Sequence, residues 1–131
     1  MQKKFIQAAA LLGALSVILG AFGAHALKEM ISEKSLAIFE TGVRYQFYHA
    51  VALMLTGMLY KEFTNKYLLW AGRLYGIGML LFCGSLYFLA IVDLAAHPGL
   101  KAIGAVTPFG GLCFIAGWLL LAVGAAKTLK Q

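Results

Sequence analysis

The chain has 131 residues, 62% of them apolar and only 12% charged, and a mean hydropathy of +0.84. A soluble domain is about 45–50% apolar and about 25% charged, so this composition excludes an ordinary water-soluble fold, and the length excludes more than one domain. The net charge of +6 does not point to nucleic acid, because the basic residues stand singly or in pairs between apolar runs and leave no stripe for a phosphate backbone to follow.

The pattern predicts an all-α integral membrane bundle, a single domain over 1–131, with four transmembrane helices and a short interfacial helix after the first. A crossing helix needs about 20 apolar residues. The first candidate, 5–26, follows Lys3 and Lys4 and holds no formal charge. Its Ala24-His25-Ala26 resembles a signal-peptide cleavage site, but the charge-free run exceeds the 7–15 residues of roughly typical signal cores, so a retained helix is expected. Ser32 is placed to cap a helix starting at Glu33. Leu36, Phe39 and Val43 then form one apolar stripe, an interfacial turn or two leading into the second span, 43–60.

A short basic connection, 61–70, precedes the third span, 71–92. Asp93, His97, Pro98, Gly99 and Lys101 fill the next connection, where Pro-Gly signals a turn. The fourth span, 103–126, contains Thr107-Pro108. Either a fresh helix starts at Pro108 with Thr107 as its cap, or Pro108 kinks a longer helix eased by Gly110 and Gly111. Cys83 and Cys113 lie in apolar runs and read as small buried hydrophobes.

Four crossings put the N-terminus, the second connection and the C-terminus on one side. Lys3, Lys4, Lys61, Lys66, Arg73, Lys127 and Lys130 gather there, seven against the four of Lys28, Lys34, Arg44 and Lys101. Positive residues favour the cytoplasm, so both termini are expected inside, on a face that attracts anionic headgroups. Tyr60, Tyr67 and Trp70 fit an aromatic belt at that interface.

In lipid, helices associate by close packing, and small residues mark the contacts. Gly13 and Gly20 share a smooth face on the first span; Gly72, Gly76 and Gly84 lie on the third, and Gly110, Gly117 and Gly124 on the fourth. These faces serve either one bundle or a homo-oligomer.

Polar residues are costly in a membrane and are functional candidates by default. Here His25, Glu40, Tyr45, Gln46, His49, Asp93 and Thr107 gather toward the outer end, with Ser85 nearer mid-depth. Thr41, Tyr45, His49 and Thr56 suggest a polar seam facing protein, with Glu40 and Arg44 as an i,i+4 pair beside it. His49 is expected to be buried and hydrogen-bonded to another span, with His25 or Ser85 as partner. Three roles stay open for it: a hydrogen-bonded core, a proton or ion path, and a metal or cofactor site. No two of the candidate ligands share the spacing that makes a helix a chelator. No catalytic residues are identified, and hydrolase, zinc-protease and phosphate-loop signatures are missing, which leans away from an enzyme.

Five motifs in order carry a family resemblance: Gly20-Ala21-Phe22-Gly23-Ala24-His25, Thr41-Gly42-x-x-Tyr45-Gln46-x-x-His49, Gly84-Ser85-Leu86-Tyr87, Thr107-Pro108-Phe109-Gly110-Gly111 and Gly117-Trp118. Together they resemble a family of small inner-membrane proteins, domain of unknown function 423, related to eukaryotic transmembrane protein 256. The resemblance implies four transmembrane helices in a bacterial plasma membrane. It implies no activity, and any cofactor stays unknown. The compact bundle is thus the first functional reading, a small channel or transporter for protons, ions or a small solute the alternative, and a cofactor- or metal-binding protein the third.

Overall fold

The computed structural model describes residues 1–92 and 98–128, and among them every regular element is helical. α1 spans Gln2–His25, α2 Glu33–Glu62, α3 Lys66–Gly78, α4 Gly84–Val92 and α5 Val106–Thr128. A π-helical segment, Met79–Cys83, joins α3 to α4, and one-turn and longer 3₁₀ stretches, Leu27–Glu29 and Pro98–Ala105, lead out of α1 and into α5. α1 lies along α2; α2 lies along the whole rod from α3 to α4; α5 packs on α3 and the π-segment and barely meets α2. The result is a membrane bundle with a gap between α2 and α5.

Local chemistry explains the ends. Ser32 Oγ accepts the amide of Ser35 at 3.2 Å, so α2 starts where a hydroxyl satisfies one of its free donors. Asn65 does the same for α3, accepting from Leu68 at 3.0 Å, and its amide also donates to the Gly124 carbonyl at 3.4 Å, tying the start of α3 to the end of α5. The third helix therefore begins at Lys66 rather than at 71. α5 begins at Val106, two residues before Pro108. A fresh start is thus closer to the structure than a kink, since a proline in the first turn removes no intrahelical bond. Thr107 is not its cap, because its hydroxyl bonds Ser85.

Among the described residues three helices are long and apolar enough to cross a membrane, Gln2–Glu29, Lys66–Val92 and Ala102–Thr128. The second of the four expected spans, 43–60, lies in α2, which is not among these three. Its 30 residues reach about 45 Å at a rise of about 1.5 Å each, but Arg44, Gln46, His49 and their neighbours hold its apolarity down.

Close approach is concentrated on α5. A Cβ at Gly110 would stand 2.8 Å from Phe82 Cα and closer still to Phe82 N, so α5 rests there on main chain. Tyr75 fills the space at Gly117, Leu68 that at Gly124 and Phe5 that at Gly72, while Gly20 meets Val43 at 3.4 Å. Nothing lies within 4 Å of a Cβ at Gly13, Gly76 or Gly84, so these three make no close contact inside this bundle. Gly42 and Gly57, not expected as contacts, receive Tyr87 and the Phe5–Ile6 pair.

The Gly110 contact makes a sharp prediction. Main chain cannot step aside as a flexible side chain can, so Gly110→Ala should lower stability by about 1–3 kcal/mol. Gly111→Ala, whose Cβ meets only Phe82 ring carbons at 3.9 Å, should hold or raise stability by about 0.5–1 kcal/mol through helix propensity. Thermal unfolding of both variants in mild detergent checks this, and equal behaviour of the two would contradict it.

Candidate functional site

α2 supplies most of the buried polar side chains. Gln46, His49 and Thr56 are all 4% exposed or less. Gln46 and His49 are three residues apart and His49 and Thr56 seven, about one and two turns, so they face one flank of the helix, together with Gly42 and Leu53. The expected seam is corrected in one respect: Tyr45 sits at its margin, 38% exposed.

Each buried group is tied to a neighbour. Gln46 donates from Nε2 to the Leu12 carbonyl of α1 at 2.9 Å and accepts from the Tyr87 hydroxyl of α4 at 2.7 Å. One amide thus clamps three helices. Thr56 returns its hydroxyl to the Ala52 carbonyl at 2.7 Å. Ser85 donates to the Phe82 carbonyl at 2.9 Å and meets Thr107 Oγ1 at 2.6 Å, so Thr107 is the donor in that pair. The first bond caps the π-segment and the second joins the rod to α5.

His49 has two partners. Its Nδ1 lies 2.7 Å from the Tyr45 carbonyl, and its Nε2 is 3.1 Å from Trp118 Nε1. An indole nitrogen only donates and a carbonyl only accepts. Nε2 is therefore the bare nitrogen and Nδ1 carries the proton, which defines a neutral ring in one tautomer. The partner expected from another span is present, but it is Trp118, not His25 or Ser85. His25 is exposed at the end of α1, and Ser85 is engaged with Thr107. Glu40 is exposed, and Arg44 turns to Thr41 Oγ1 at 3.4 Å instead of to Glu40. Asp93 and His97 lie outside the described residues.

Around His49 the walls are aromatic. Its ring stacks on Phe114 with centroids 3.5 Å apart and planes 8° apart, and Tyr45 lies nearly parallel at 17°. Trp118 stands across them at 67°. Phe82, carried by the π-segment, completes the wall at 4.8 Å from Tyr45 and 5.4 Å from Phe114. With Tyr48, Gly111 and Ile115 these rings line a groove of about 560 Å³ in the gap between α2 and α5. Cavities of about 300–1,000 Å³ lined by aromatic side chains with a few polar groups are the usual form of a small-molecule site. Among the described residues no three His, Cys, Asp or Glu side chains cluster as metal ligands would. Among the described residues one buried polar side-chain atom lacks a partner, the hydroxyl of Tyr75, whose ring lies 5.8 Å from His49 and 5.6 Å from Trp118.

Tyr75, Phe82, Phe114 and Trp118 were not among the expected site residues. For Trp118 a signal existed: an indole N–H in mid-span needs an acceptor, and the mid-span histidine is the natural one.

The family model described as "Protein of unknown function (DUF423)" matches residues 19–111. UPF0382 membrane protein SH2409 of Staphylococcus haemolyticus is 42% identical over 125 residues, 95% of this chain and 97% of its own. UPF0382 membrane protein YwdK of Bacillus subtilis is 39% identical, over 97% and 99% of the two chains. UPF0382 inner membrane protein YgdD of Escherichia coli is 37% identical, over 94% and 89%. No solved structure matches.

The His49–Trp118 bond can be measured by a double-mutant cycle. Trp118→Phe leaves Nε2 unpaired and His49→Leu leaves the indole N–H unpaired, and each should cost about 1–3 kcal/mol. The double variant should cost less than the sum, with a coupling of about 0.6–2 kcal/mol, the range for bonds between membrane helices. Additive losses in detergent unfolding would mean that the two groups do not interact.

Proposed function

We propose, since the chain belongs to the DUF423 family, that this integral membrane protein of the bacterial plasma membrane crosses the bilayer four times and acts as a non-conducting binding module, its groove between α2 and α5 receiving a lipid-soluble molecule. The observation that carries this reading is the groove itself, walled by Tyr45, His49, Phe82, Phe114 and Trp118 and open sideways. Gln46, His49 and Ser85 are each bonded to another helix and Thr56 to its own backbone, so they act as structural ties rather than as stepping stones for an ion.

For α2 as the fourth crossing, support comes from which side of it is greasy. Its exposed residues include Phe47, Val51, Leu55 and Met58, while Gln46, His49 and Thr56 are buried. A soluble helix shows the reverse arrangement. Apolar outside and polar inside is the arrangement that lipid demands. On the side proposed as cytoplasmic, Lys66 and Lys127 lie over the Tyr67 ring at 5.4 and 4.5 Å, and Arg73 over Trp70 at 5.1 Å. Cations held this way at the interface suit anionic headgroups.

Parity makes the crossing testable. Four crossings place residues 3 and 127 on the same side, and three place them on opposite sides. Single cysteines at Lys3 and Lys127, in a background lacking Cys83 and Cys113, should both resist an impermeant thiol reagent on intact cells, and one at Lys34 should react. Labelling of one terminus alone would remove α2 from the membrane.

A flux measurement separates the binding reading from transport. Proteoliposomes should leak protons and potassium no faster than protein-free vesicles. A flux above that background, abolished by His49→Gln with helical content intact, would replace the binding module by a transporter.

A further inference from the structure

We infer that the start of α3 and the end of α5 together form a site for the phosphate of one anionic phospholipid, held by Lys66, Tyr67 and Lys127. The inference deepens the reading of this end as a surface for anionic headgroups, replacing diffuse attraction by a site with a count and a preference. It makes no use of the groove or of the crossing by α2.

Position comes first. The apolar stretch that carries α3 begins at Lys66, and the one that carries α5 ends at Thr128. The two lysines therefore stand where hydrocarbon gives way to headgroups. Asn65 ties the two helix ends together through its bond to the Gly124 carbonyl at 3.4 Å. A Cβ at Gly124 would stand 2.7 Å from Leu68 Cδ2, so the ends are in close contact and the charges they carry are held side by side.

Charge comes next. Both ammonium groups are gathered on one phenol ring, Lys66 Nζ 5.4 Å and Lys127 Nζ 4.5 Å from its centroid. The first turn of α3 holds no acid. Among the described residues neither ammonium meets a carboxylate, and Glu62, the acid nearest in sequence, ends α2 without pairing with either. Like charges brought together repel, and a ring face attracts cations without neutralising them. An anion between the two removes the repulsion.

The protons left to give define that anion. Lys127 Nζ donates to the Tyr67 hydroxyl oxygen at 3.2 Å, so that oxygen already has its donor and the phenol proton remains to be given. An ammonium only donates. Three groups thus offer protons to one charged acceptor with several oxygens, and a phosphodiester is such an acceptor.

The surplus of positive charge then selects the lipid. A phosphatidylcholine carries its own cation beside its phosphate, which the lysines repel, whereas a phosphatidylglycerol carries none. Arg73, with its guanidinium over Trp70 at 5.1 Å, adds a further cation on the flank that Lys66 opens. Trp70 and Ile77, 49% and 45% exposed, lie about one and three turns along the same flank. They offer an apolar surface to the acyl chains of the same molecule.

The test is mass spectrometry of intact complexes, with the full-length protein in mild detergent titrated separately with phosphatidylglycerol and phosphatidylcholine. The parent should take up one phosphatidylglycerol, with an affinity about fivefold or more above that for phosphatidylcholine. Lys66→Gln and Lys127→Gln, on two different helices, should each weaken phosphatidylglycerol binding by about fivefold, the share of one basic residue at a membrane surface. Tyr67→Phe keeps the ring, removes the hydroxyl and should weaken it about three- to fivefold, the loss of one hydrogen bond. Lys3→Gln removes the same charge at the same end of the bundle, where Phe5 reaches Gly72, and should change nothing. Equal affinity of the parent for the two lipids overturns the site. So does a loss in Lys3→Gln as large as that in Lys127→Gln, because the attraction is then diffuse. Excess inorganic phosphate should leave the lipid bound, and its displacement would assign the cluster to a soluble anion instead. Binding in detergent depends on neither the thiol labelling nor the flux result above, so failure here leaves the crossing and the groove standing, and their failure leaves this site standing.

Discussion

A polar atom in the hydrocarbon of a membrane has no water to replace a missing partner, and leaving it bare costs several kcal/mol. With α2 as the proposed fourth crossing, Gln46, His49 and Thr56 lie in that setting, and the arrangement of the other helices answers them. Gln46 needs an acceptor and a donor, and it finds Leu12 on α1 and Tyr87 on α4. His49 needs one of each as well, and it finds Trp118 on α5 and its own backbone at Tyr45. α1, α4 and α5 are thus each bonded to α2 through a side chain that lipid would penalise. Thr56 solves the same problem locally and holds nothing else.

A second lock sits where the rod meets α5. The π-segment inserts an extra residue into the turn, and such insertions need outside support because the ladder of amide bonds is locally misaligned. Ser85 supplies it by taking the Phe82 carbonyl, and Thr107 holds Ser85 in turn. Gly110 lets the α5 backbone rest on Phe82 itself. The same bulge aims the Phe82 ring at Tyr45 and Phe114. The device that joins the helices therefore also builds one wall of the groove. A straight α-helix through Met79–Cys83 would turn that ring elsewhere.

Most of the secondary structure was legible because lipid leaves a strong mark. Charge-free runs locate α1 and α5, and Ser32 announces the start of α2 through its hydroxyl. What could not be read is whatever depends on helix rotation and vertical offset. His49 was recognisable as buried, but its partner is settled by how far α5 is shifted along α2, which no residue in α2 records. The glycines divide for the same reason. Gly110 and Gly117 face neighbours while Gly13, Gly76 and Gly84 make no close contact, though all sit at similar helical spacing. The π-segment has no proline or polar signature in Met79-Leu80-Leu81-Phe82-Cys83; it coincides with the close approach of Gly110 on α5 to Phe82. For α2 the reading of 43–60 as a span and the apolarity of the helix diverge, because a window of hydropathy averages both sides of a helix and gives a low value to one whose polar side is buried and whose apolar side faces out.

The tautomer of His49 connects these locks to function. Adding a proton at Nε2 would set an N–H against the Trp118 N–H and forfeit the bond that joins α2 to α5. A histidine that relays protons must gain and lose them without such a penalty, and it needs a mobile partner on each side. Here one partner is a backbone carbonyl and the other an indole that can neither accept a proton nor pass one on. The ring is further held by Phe114 across its face at 3.5 Å, so it has little freedom to turn. Fixed in one protonation state and one orientation, His49 is poorly suited to conduction and well suited to forming a rigid surface. A rigid surface is what a ligand groove requires, because walls that are already ordered lose no conformational freedom when a guest arrives.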